Sequence, residues 1–233
     1  MNPPNDGSAV RLLCTLGLRG VMTAVTPMLA ERGLTFSATY GATALMLERL
    51  AAGETADAAV FTDAAVDELI GRQVMVTGSR RDLARSAVGL AVRAGAPKPD
   101  IGTAEAFTQA VLNARSIGYS KTGASGLHFA RLIEKLGIAA EINRKAKVQD
   151  GVVGALAAAG DVEIAIQQIS ELKLVDGIDI VGPLPDALQK MTVFTAGVFT
   201  TSPRRTAAQA FLDALGGADV AAVMRDKGLE PIA

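Results

Sequence analysis

Residues 40–61 read YGATALMLERLAAGETADAAVF, and this stretch contains a turn, an amphipathic helix and a short apolar strand in immediate succession. The turn follows a strand-like run at 35–39, and apolar residues then recur at helical spacing over 42–52. Gly53 stands where the left-handed residue that ends a helix is expected. The apolar run 58–61 is typical of a strand, so the stretch predicts parallel strands connected by a helix.

The same alternation of short apolar runs and longer amphipathic stretches continues along the chain. It predicts an α/β fold in which mixed, mainly parallel sheets are flanked by helices. The further predicted strands are 10–14, 89–92, 116–119, 142–147, 164–167, 178–181 and 192–199. The further predicted helices are 18–32, 63–71, 103–114, 123–136, 151–159, 206–215 and 218–227.

Two segments, 80–86 and 191–201, connect one group of elements with the other. If both are crossover strands, residues 1–85 plus 195–233 form lobe 1 and residues 86–194 form lobe 2, with a two-stranded hinge and a cleft between them. A single doubly wound domain is the alternative. The pattern of elements does not decide between these two organisations.

The composition excludes several classes of function. Lys plus Arg number 23 against 24 Asp plus Glu, a net charge of −1, so neither nucleic acid nor an anionic membrane is an expected partner. The lone cysteine, Cys14, and the lone histidine, His128, supply neither a disulfide nor a zinc cluster, and no metal is expected. No P-loop or dinucleotide-binding motif occurs, so no cofactor is expected either. Ser125 and His128 lie only three residues apart, which disfavours a serine hydrolase triad.

The hydropathy pattern bears on the location of the protein. No run of about 18 uninterrupted apolar residues occurs, so no membrane-spanning segment is expected. Residues 1–8 lack the charged and apolar regions of an export signal. As written, the chain is expected in the cytoplasm, whereas a removed export signal would place it in the periplasm.

One local motif occurs four times: a strand is followed by a loop of Gly, Ser and Thr and then by the start of a helix. Such loops present unpaired backbone N–H groups and a partial positive charge, which together suit an anion. Several helix ends must converge, because micromolar binding needs about 8 kcal/mol. Helix capping alone is the alternative for any single loop. The four loops are 15–20, 40–43, 120–126 and 148–151.

These loops and residues 40–61 resemble the molybdate-binding family of type II periplasmic substrate-binding proteins. The family pattern F-G-A-S-G-x-L, followed by Q-I-x-x-G-A-P-A-D-V-F, is similar to residues 40–61. The resemblance implies a two-lobed fold with two crossover strands, no cofactor, and, for a receptor, the membrane subunit of an ABC importer as a partner. Further similar segments are 124–126, 135–137, 151–160, 166–171 and 228–231.

Carried over position by position, the oxyanion ligands of the family fall on several of the loops. Two departures are that Gln168 replaces the usual Tyr and that Leu16–Leu18 and Arg19 replace a Ser-containing loop. The charge of Arg19 suits a carboxylate better than an oxyanion held by neutral donors. The candidate ligand-binding residues are Thr15, Gly17, Arg19, Thr43, Lys121, Ser125, the backbone around Asp150 and Gly151, and Gln168.

Residues 181–185 are similar to a branch of the same fold, the aconitate isomerase-like proteins, which are enzymes. The resemblance implies a 1,3-proton shift in an unsaturated carboxylate, which needs carboxylate clamps and one proton-moving group. His128 or Asp150 are the candidates for moving the proton, although His128 could equally face solvent or the core. The candidate clamps are Arg19, Lys121 and Arg144.

Two functions therefore follow from the sequence. The first is a solute-binding protein that captures a small oxyanion or organic carboxylate in the interlobe cleft. The alternative is a cofactor-free isomerase of an unsaturated di- or tricarboxylate on the same fold.

Overall fold

The computed structural model describes residues 9–232, so the N-terminal segment 1–8 discussed above lies outside the described residues. The strands are β1 (Val10–Thr15), β2 (Phe36–Gly41), β3 (Ala58–Thr62), β4 (Arg81–Ser86), β5 (Val88–Arg93), β6 (Ile117–Ser120), β7 (Ala146–Gln149), β8 (Ile164–Gln168), β9 (Ile178–Pro183), β10 (Thr192–Val198) and β11 (Glu230–Pro231). The α-helices are α1 (Arg19–Glu31), α2 (Thr43–Ala51), α3 (Asp63–Gly71), α4 (Ala104–Asn113), α5 (Ala124–Lys135), α6 (Ala139–Lys145), α7 (Gly154–Ala159), α8 (Ile169–Leu172), α9 (Arg205–Leu215) and α10 (Ala218–Asp226).

These elements divide into two compact units. Unit 1 contains the described residues up to Arg85 and those from Val193 onward, and unit 2 is Ser86–Thr192. Each unit has its own sheet and its own apolar core.

The unit 1 sheet has the strand order β11-β4-β10-β3-β1-β2. β1 runs parallel to β2 and β3, whereas β10 is antiparallel to β3. Helices α1, α9 and α10 cover one face of the sheet with residues such as Val21 and Phe211. Helices α2 and α3 cover the other face, where Met46, Phe61 and Leu69 are buried. The parallel strands therefore end together at one edge.

A buried carboxylate connects the beginning of β3 to the segment that follows β10. Asp57 is 0% exposed, and its Oδ2 accepts a hydrogen bond from Arg11 N at 2.8 Å. Its Oδ1 accepts one from Ser202 Oγ at 2.8 Å, and Arg204 Nη1 lies 3.4 Å from Oδ2. Because both oxygens have partners, this carboxyl group is tolerated in the interior.

The unit 2 sheet has the order β7-β6-β8-β5-β9. β6 is parallel to β7 and β8, and β5 is antiparallel to β8 and β9. Helices α4, α5 and α6 pack on one face through Phe107, Phe129 and Ile142, and α7 and α8 pack on the other through Ala157 and Leu172. This is the same plan as in unit 1, with mixed pairing in both sheets.

The strand predicted at 142–147 is wrong over most of its length. Helix α6 extends to Lys145, and β7 begins only at Ala146. Ile142 is buried on the helix while Glu141 and Arg144 are exposed, so its apolar side chain marks one face of a short helix rather than a strand. The segment 80–86, considered above only as a possible crossover strand, forms β4, and a charged residue in it has a partner: Asp82 Oδ1 accepts a hydrogen bond from Thr195 Oγ1 at 2.6 Å.

Within residues 9–232, no individual helix has both the length and the apolarity needed to cross a membrane. The pair α9 and α10 meets those two criteria only when taken together, and the pair is bent by 61°.

Candidate functional site

The ends of the parallel strands place the first two predicted loops side by side in unit 1. Thr15 and Gly41 are register partners at the carboxyl ends of β1 and β2. Thr15 is buried and precedes the 3-10 helix Leu16–Leu18, which leads into α1. A Cβ at Gly17 would lie 2.5 Å from Phe194 Cζ, so packing against β10 requires glycine at this turn. The loop is thereby fixed at the sheet edge.

Thr43 is the first residue of α2, and its buried hydroxyl lacks a hydrogen-bond partner among the described residues. Among the buried side-chain polar atoms of residues 9–232, Thr43 Oγ1 alone has no hydrogen-bond partner. A buried hydroxyl without a partner costs about 1–3 kcal/mol, so native structures retain few of them without a reason. A ligand that hydrogen-bonds this hydroxyl would remove the cost.

Arg19 begins α1 and is exposed. Its Cζ lies 5.9 Å from the centroid of the Tyr40 ring, within the range of a cation–π contact. No described carboxylate forms an ion pair with Arg19 (salt bridges elsewhere engage Arg11, Arg32 and Arg49). Arg19 thus presents an unpaired cation at the edge that also carries Thr43.

Tyr40 supplies the ring beneath this cation from the end of β2. Burial raises the pKa of the Tyr40 phenol well above its usual range, and the Arg19 charge opposes this only in part. The phenol is therefore protonated throughout the physiological pH range. We call Thr15, Arg19, Tyr40 and Thr43 the unit 1 site. Sequence reasoning missed Tyr40, although it stands first in the stretch quoted above.

In unit 2, the third predicted loop joins β6 to α5. Ser120 Oγ accepts a hydrogen bond from Gly123 N at 2.9 Å, and Lys121 N donates to Gln149 O at 2.9 Å. The Lys121 side chain is exposed, whereas Ser125 is buried in the first turn of α5. A Cβ at Gly126 would lie 1.7 Å from Ser120 O, so α5 packs directly on the end of β6.

The fourth loop differs from the expectation of a free helix start. Gln167 is 0% exposed, and its Oε1 accepts hydrogen bonds from Val153 N at 2.8 Å and Gly154 N at 3.1 Å. Its Nε2 donates to Gly151 O at 3.0 Å, and Gly151 has a φ of +86°. The first amides of α7 are therefore satisfied internally, because a buried glutamine takes the place of an anion.

Glu171 completes this cluster, and sequence reasoning missed it. It accepts a hydrogen bond from Gln167 Nε2. Burial raises the pKa of the Glu171 carboxyl to about 7, and the hydrogen bond from Gln167 opposes that rise. No local pattern in residues 166–171 signals a buried carboxyl, because its burial comes from packing on the sheet.

Gln168 occupies the position where the resemblance implied a ligand. Its amide oxygen accepts from Thr192 Oγ1 at 2.7 Å, and its nitrogen donates toward Ser86 Oγ and Ala87 O, both at 3.1 Å. Gln168 is buried and connects the two ends of unit 2. Its role as a ligand residue stays a prediction, while these contacts give it a structural role.

The two proton-moving candidates have different surroundings. His128 Nε2 lies 2.8 Å from Leu188 O, and the ring is half-buried on α5. Asp150 is exposed and accepts a hydrogen bond from Thr122 Oγ1 at 2.5 Å. Arg144 is exposed on α6. The structure thus brings Asp150 near the Lys121 turn, whereas His128 is engaged by a backbone carbonyl.

Residues 9–232 contain no group of three His, Cys, Asp or Glu side chains arranged to hold a metal ion. Cys14 is fully buried in β1, and burial raises the pKa of its thiol well above the usual range. The groups at the two sheet edges that could bind a ligand are therefore the hydroxyls, amides, carboxyls and cations described above.

Comparisons with known proteins show which family the chain matches. The family described as bacterial extracellular solute-binding protein matches residues 10–230. Aconitate isomerase of a Pseudomonas species is 39% identical over 186 residues, which is 79% of this chain and 71% of that protein.

Solved structures share the fold at low identity. The periplasmic molybdate-binding protein of Azotobacter vinelandii has a TM-score of 0.79 and 15% identity, with 94% of this chain and 98% of that chain covered. The substrate-binding domain of a putative molybdenum ABC transporter from Clostridium difficile has a TM-score of 0.73 and 14% identity, with 97% and 99% covered. The sulfate-binding protein of Mycobacterium tuberculosis has a TM-score of 0.73 and 18% identity, with 96% and 87% covered.

Proposed function

The chain belongs to the bacterial extracellular solute-binding protein family, and on that premise we propose that it binds a small organic carboxylate through the unit 1 site. One observation carries the proposal: an unpaired guanidinium, that of Arg19, and an unpartnered buried hydroxyl, that of Thr43, share the edge where β1 and β2 end.

The chemistry of Arg19 favours a carboxylate over a tetrahedral oxyanion. A guanidinium offers parallel N–H donors in one plane, and these match the two coplanar oxygens of a carboxylate. A hydroxyl such as that of Thr43 can donate a further hydrogen bond to an oxygen of the ligand, whether that oxygen is neutral or charged. The relatives named for molybdate and sulfate are under 20% identical, so they support the fold and not the ligand.

Thermal unfolding against a panel of anions tests the proposal. The panel contains molybdate, tungstate, sulfate, succinate, citrate and trans-aconitate, and a ligand at 100 times its Kd stabilises by about 2.7 kcal/mol. We expect stabilisation by at least one carboxylate. Stabilisation by molybdate or sulfate with no response to any carboxylate would overturn the proposal.

Two substitutions locate the ligand. Arg19→Met is expected to weaken carboxylate binding by about tenfold or more, because hydrogen bonds to charged groups contribute about 1.5–3 kcal/mol. Thr43→Val removes the unpartnered oxygen, so it should stabilise the ligand-free protein while weakening binding. Arg72→Met is the matched control, since Arg72 pairs with Glu68 at the exposed end of α3. Lys121→Met and Ser125→Ala test the predicted ligand residues of unit 2.

A second candidate function is isomerisation of an unsaturated tricarboxylate, and the 39% identity to aconitate isomerase favours it. In that reaction one C–H bond breaks, another forms two carbons away, and the double bond moves between them, so no oxidant or reductant is consumed. Incubation of cis-aconitate with the protein, followed by proton NMR, would reveal the trans isomer. Asp150→Asn and His128→Gln then separate the two proton-moving candidates, and absence of turnover would leave binding alone.

We further propose that the protein acts outside the cytoplasmic membrane, with an ABC importer as a partner if the function is binding alone. The description of the family as extracellular supports this location. Fractionation of the source cells tests it, and recovery of the protein only in the cytoplasmic fraction would contradict it.

A further inference from the structure

We infer that the Tyr40 ring positions the Arg19 guanidinium and thereby makes the unit 1 site selective for planar carboxylates over tetrahedral oxyanions. This inference rests on the function proposed above and deepens it. Tyr40 acts through Arg19, so it is a positioning residue.

Tyr40 is suited to this task because its ring is itself held by the fold. It lies on β2 directly opposite Cys14 of β1, and it packs against the apolar core beneath α1. Arg19 projects from the first residue of α1, above that core. The ring is therefore held by the core, and the exposed guanidinium of Arg19 lies against it.

An arginine without a partner would otherwise sample many rotamers. Ordering such a side chain costs conformational entropy, and a ligand must compensate for that loss unless the protein has already ordered the side chain. Among the described residues, the Tyr40 ring is the group found against the Arg19 guanidinium. The contact thus lowers the ordering cost that a bound anion has to meet.

Orientation matters more for a planar ligand than for a tetrahedral one. A carboxylate needs both of its oxygens in the plane of the guanidinium to form two parallel hydrogen bonds. A tetrahedral oxyanion presents oxygens in several directions, so it depends less on how that plane is set. Loss of the ring should therefore cost a carboxylate more affinity than molybdate.

The neighbouring surface also suits a ligand that has a carbon skeleton. Leu45 of α2 is 42% exposed, and its Cδ2 would lie 3.4 Å from a Cβ at Gly41. This apolar side chain adjoins the end of β2 and lies two residues after Thr43 on α2. A bare oxyanion gains nothing from such a contact, whereas a hydrocarbon chain does.

Calorimetric titration with trans-aconitate and with molybdate tests the inference in wild type, Tyr40→Phe and Tyr40→Leu. Tyr40→Phe keeps the ring, so its Kd for trans-aconitate should stay within about twofold of wild type. Tyr40→Leu should weaken trans-aconitate binding by about fivefold and change molybdate binding, where it is measurable, by less than about twofold. A merely structural role for the ring would weaken both anions alike.

The double variant Arg19→Met/Tyr40→Leu provides the second measurement. If Tyr40 acts through Arg19, adding Tyr40→Leu to Arg19→Met should have no further effect on trans-aconitate binding. Should Tyr40→Leu unfold, Tyr40→Met replaces it, with the unfolding midpoint as the check. Equal affinities for Tyr40→Phe and Tyr40→Leu, or additive effects in the double variant, would overturn this inference alone. Absence of any carboxylate binding by wild type would overturn the proposed function as well.

Discussion

Replacement of Glu171 by glutamine should change how the stability of unit 2 depends on pH. Burial raises the pKa of Glu171 from 4.5 to about 7. A carboxyl with a raised pKa in the folded state contributes stability that is fully present below pH 4.5 and is lost as the pH rises toward 7. Above neutrality, the buried charge of Glu171 therefore lowers the free energy of unfolding of the wild-type protein.

The size of this effect follows from the two pKa values. At about 1.36 kcal/mol for each pH unit, the interval from 4.5 to about 7 corresponds to about 3 kcal/mol. Glu171→Gln keeps an oxygen that accepts from Gln167 Nε2 and has no charge to bury. We therefore expect the variant to gain about 3 kcal/mol relative to wild type between pH 5 and pH 8.

Urea unfolding followed by circular dichroism from pH 5 to pH 8.5 measures this difference. Hydrogen exchange of β8 amides at the same pH values assigns the change to unit 2. Glu141→Gln, an exposed position on α6, is the matched control and should follow the wild-type profile. Parallel profiles for wild type and Glu171→Gln would refute the argument that burial dominates at this carboxyl.

Three further substitutions test contacts described above. Asp57→Ala should cost about 3–5 kcal/mol in urea unfolding, because it leaves buried donors without their charged acceptor, and a loss below about 1 kcal/mol would contradict this. Gln167→Leu should cost about 3 kcal/mol and accelerate hydrogen exchange at the first amides of α7, whereas unchanged exchange would show that another group caps that helix. Gly126→Ala should cost about 3 kcal/mol in thermal unfolding because its Cβ meets Ser120 O, and Gly71→Ala, with open space around it, is the control that should be nearly neutral.

Much of the fold could be predicted from local sequence. The turn, helix and strand of residues 40–61 lie within a residue or two of their observed bounds, because each has its own periodicity and glycine punctuation. The two-lobed α/β fold class and the family resemblance are confirmed. The strand expected at 142–147 is wrong because one buried isoleucine does not distinguish a short helix from a strand.

The site could be predicted only in part, because its decisive contacts are tertiary. Thr43 and Arg19 were identified from their loops, but the ring of Tyr40 reaches Arg19 only through the pairing of β1 with β2. Likewise, the start of α7 has the composition of an anion-binding loop, and nothing local reveals that Gln167 already occupies it. Sequence patterns therefore locate the loops, whereas tertiary packing determines which backbone and side-chain donors in them lack a hydrogen-bond partner.

The strand order of unit 1 has a consequence for how the chain is made. β3 and β4 are consecutive along the sequence, yet β10 lies between them in the sheet. Strands β1 to β4 leave the ribosome first and the strands of unit 2 follow before β10, so unit 2 can assemble its whole sheet while β3 and β4 still lack their shared neighbour. Until β10 and β11 emerge, the nascent protein exposes the unpaired backbone edges of β3 and β4, and this is the interval in which a chaperone would be of most use.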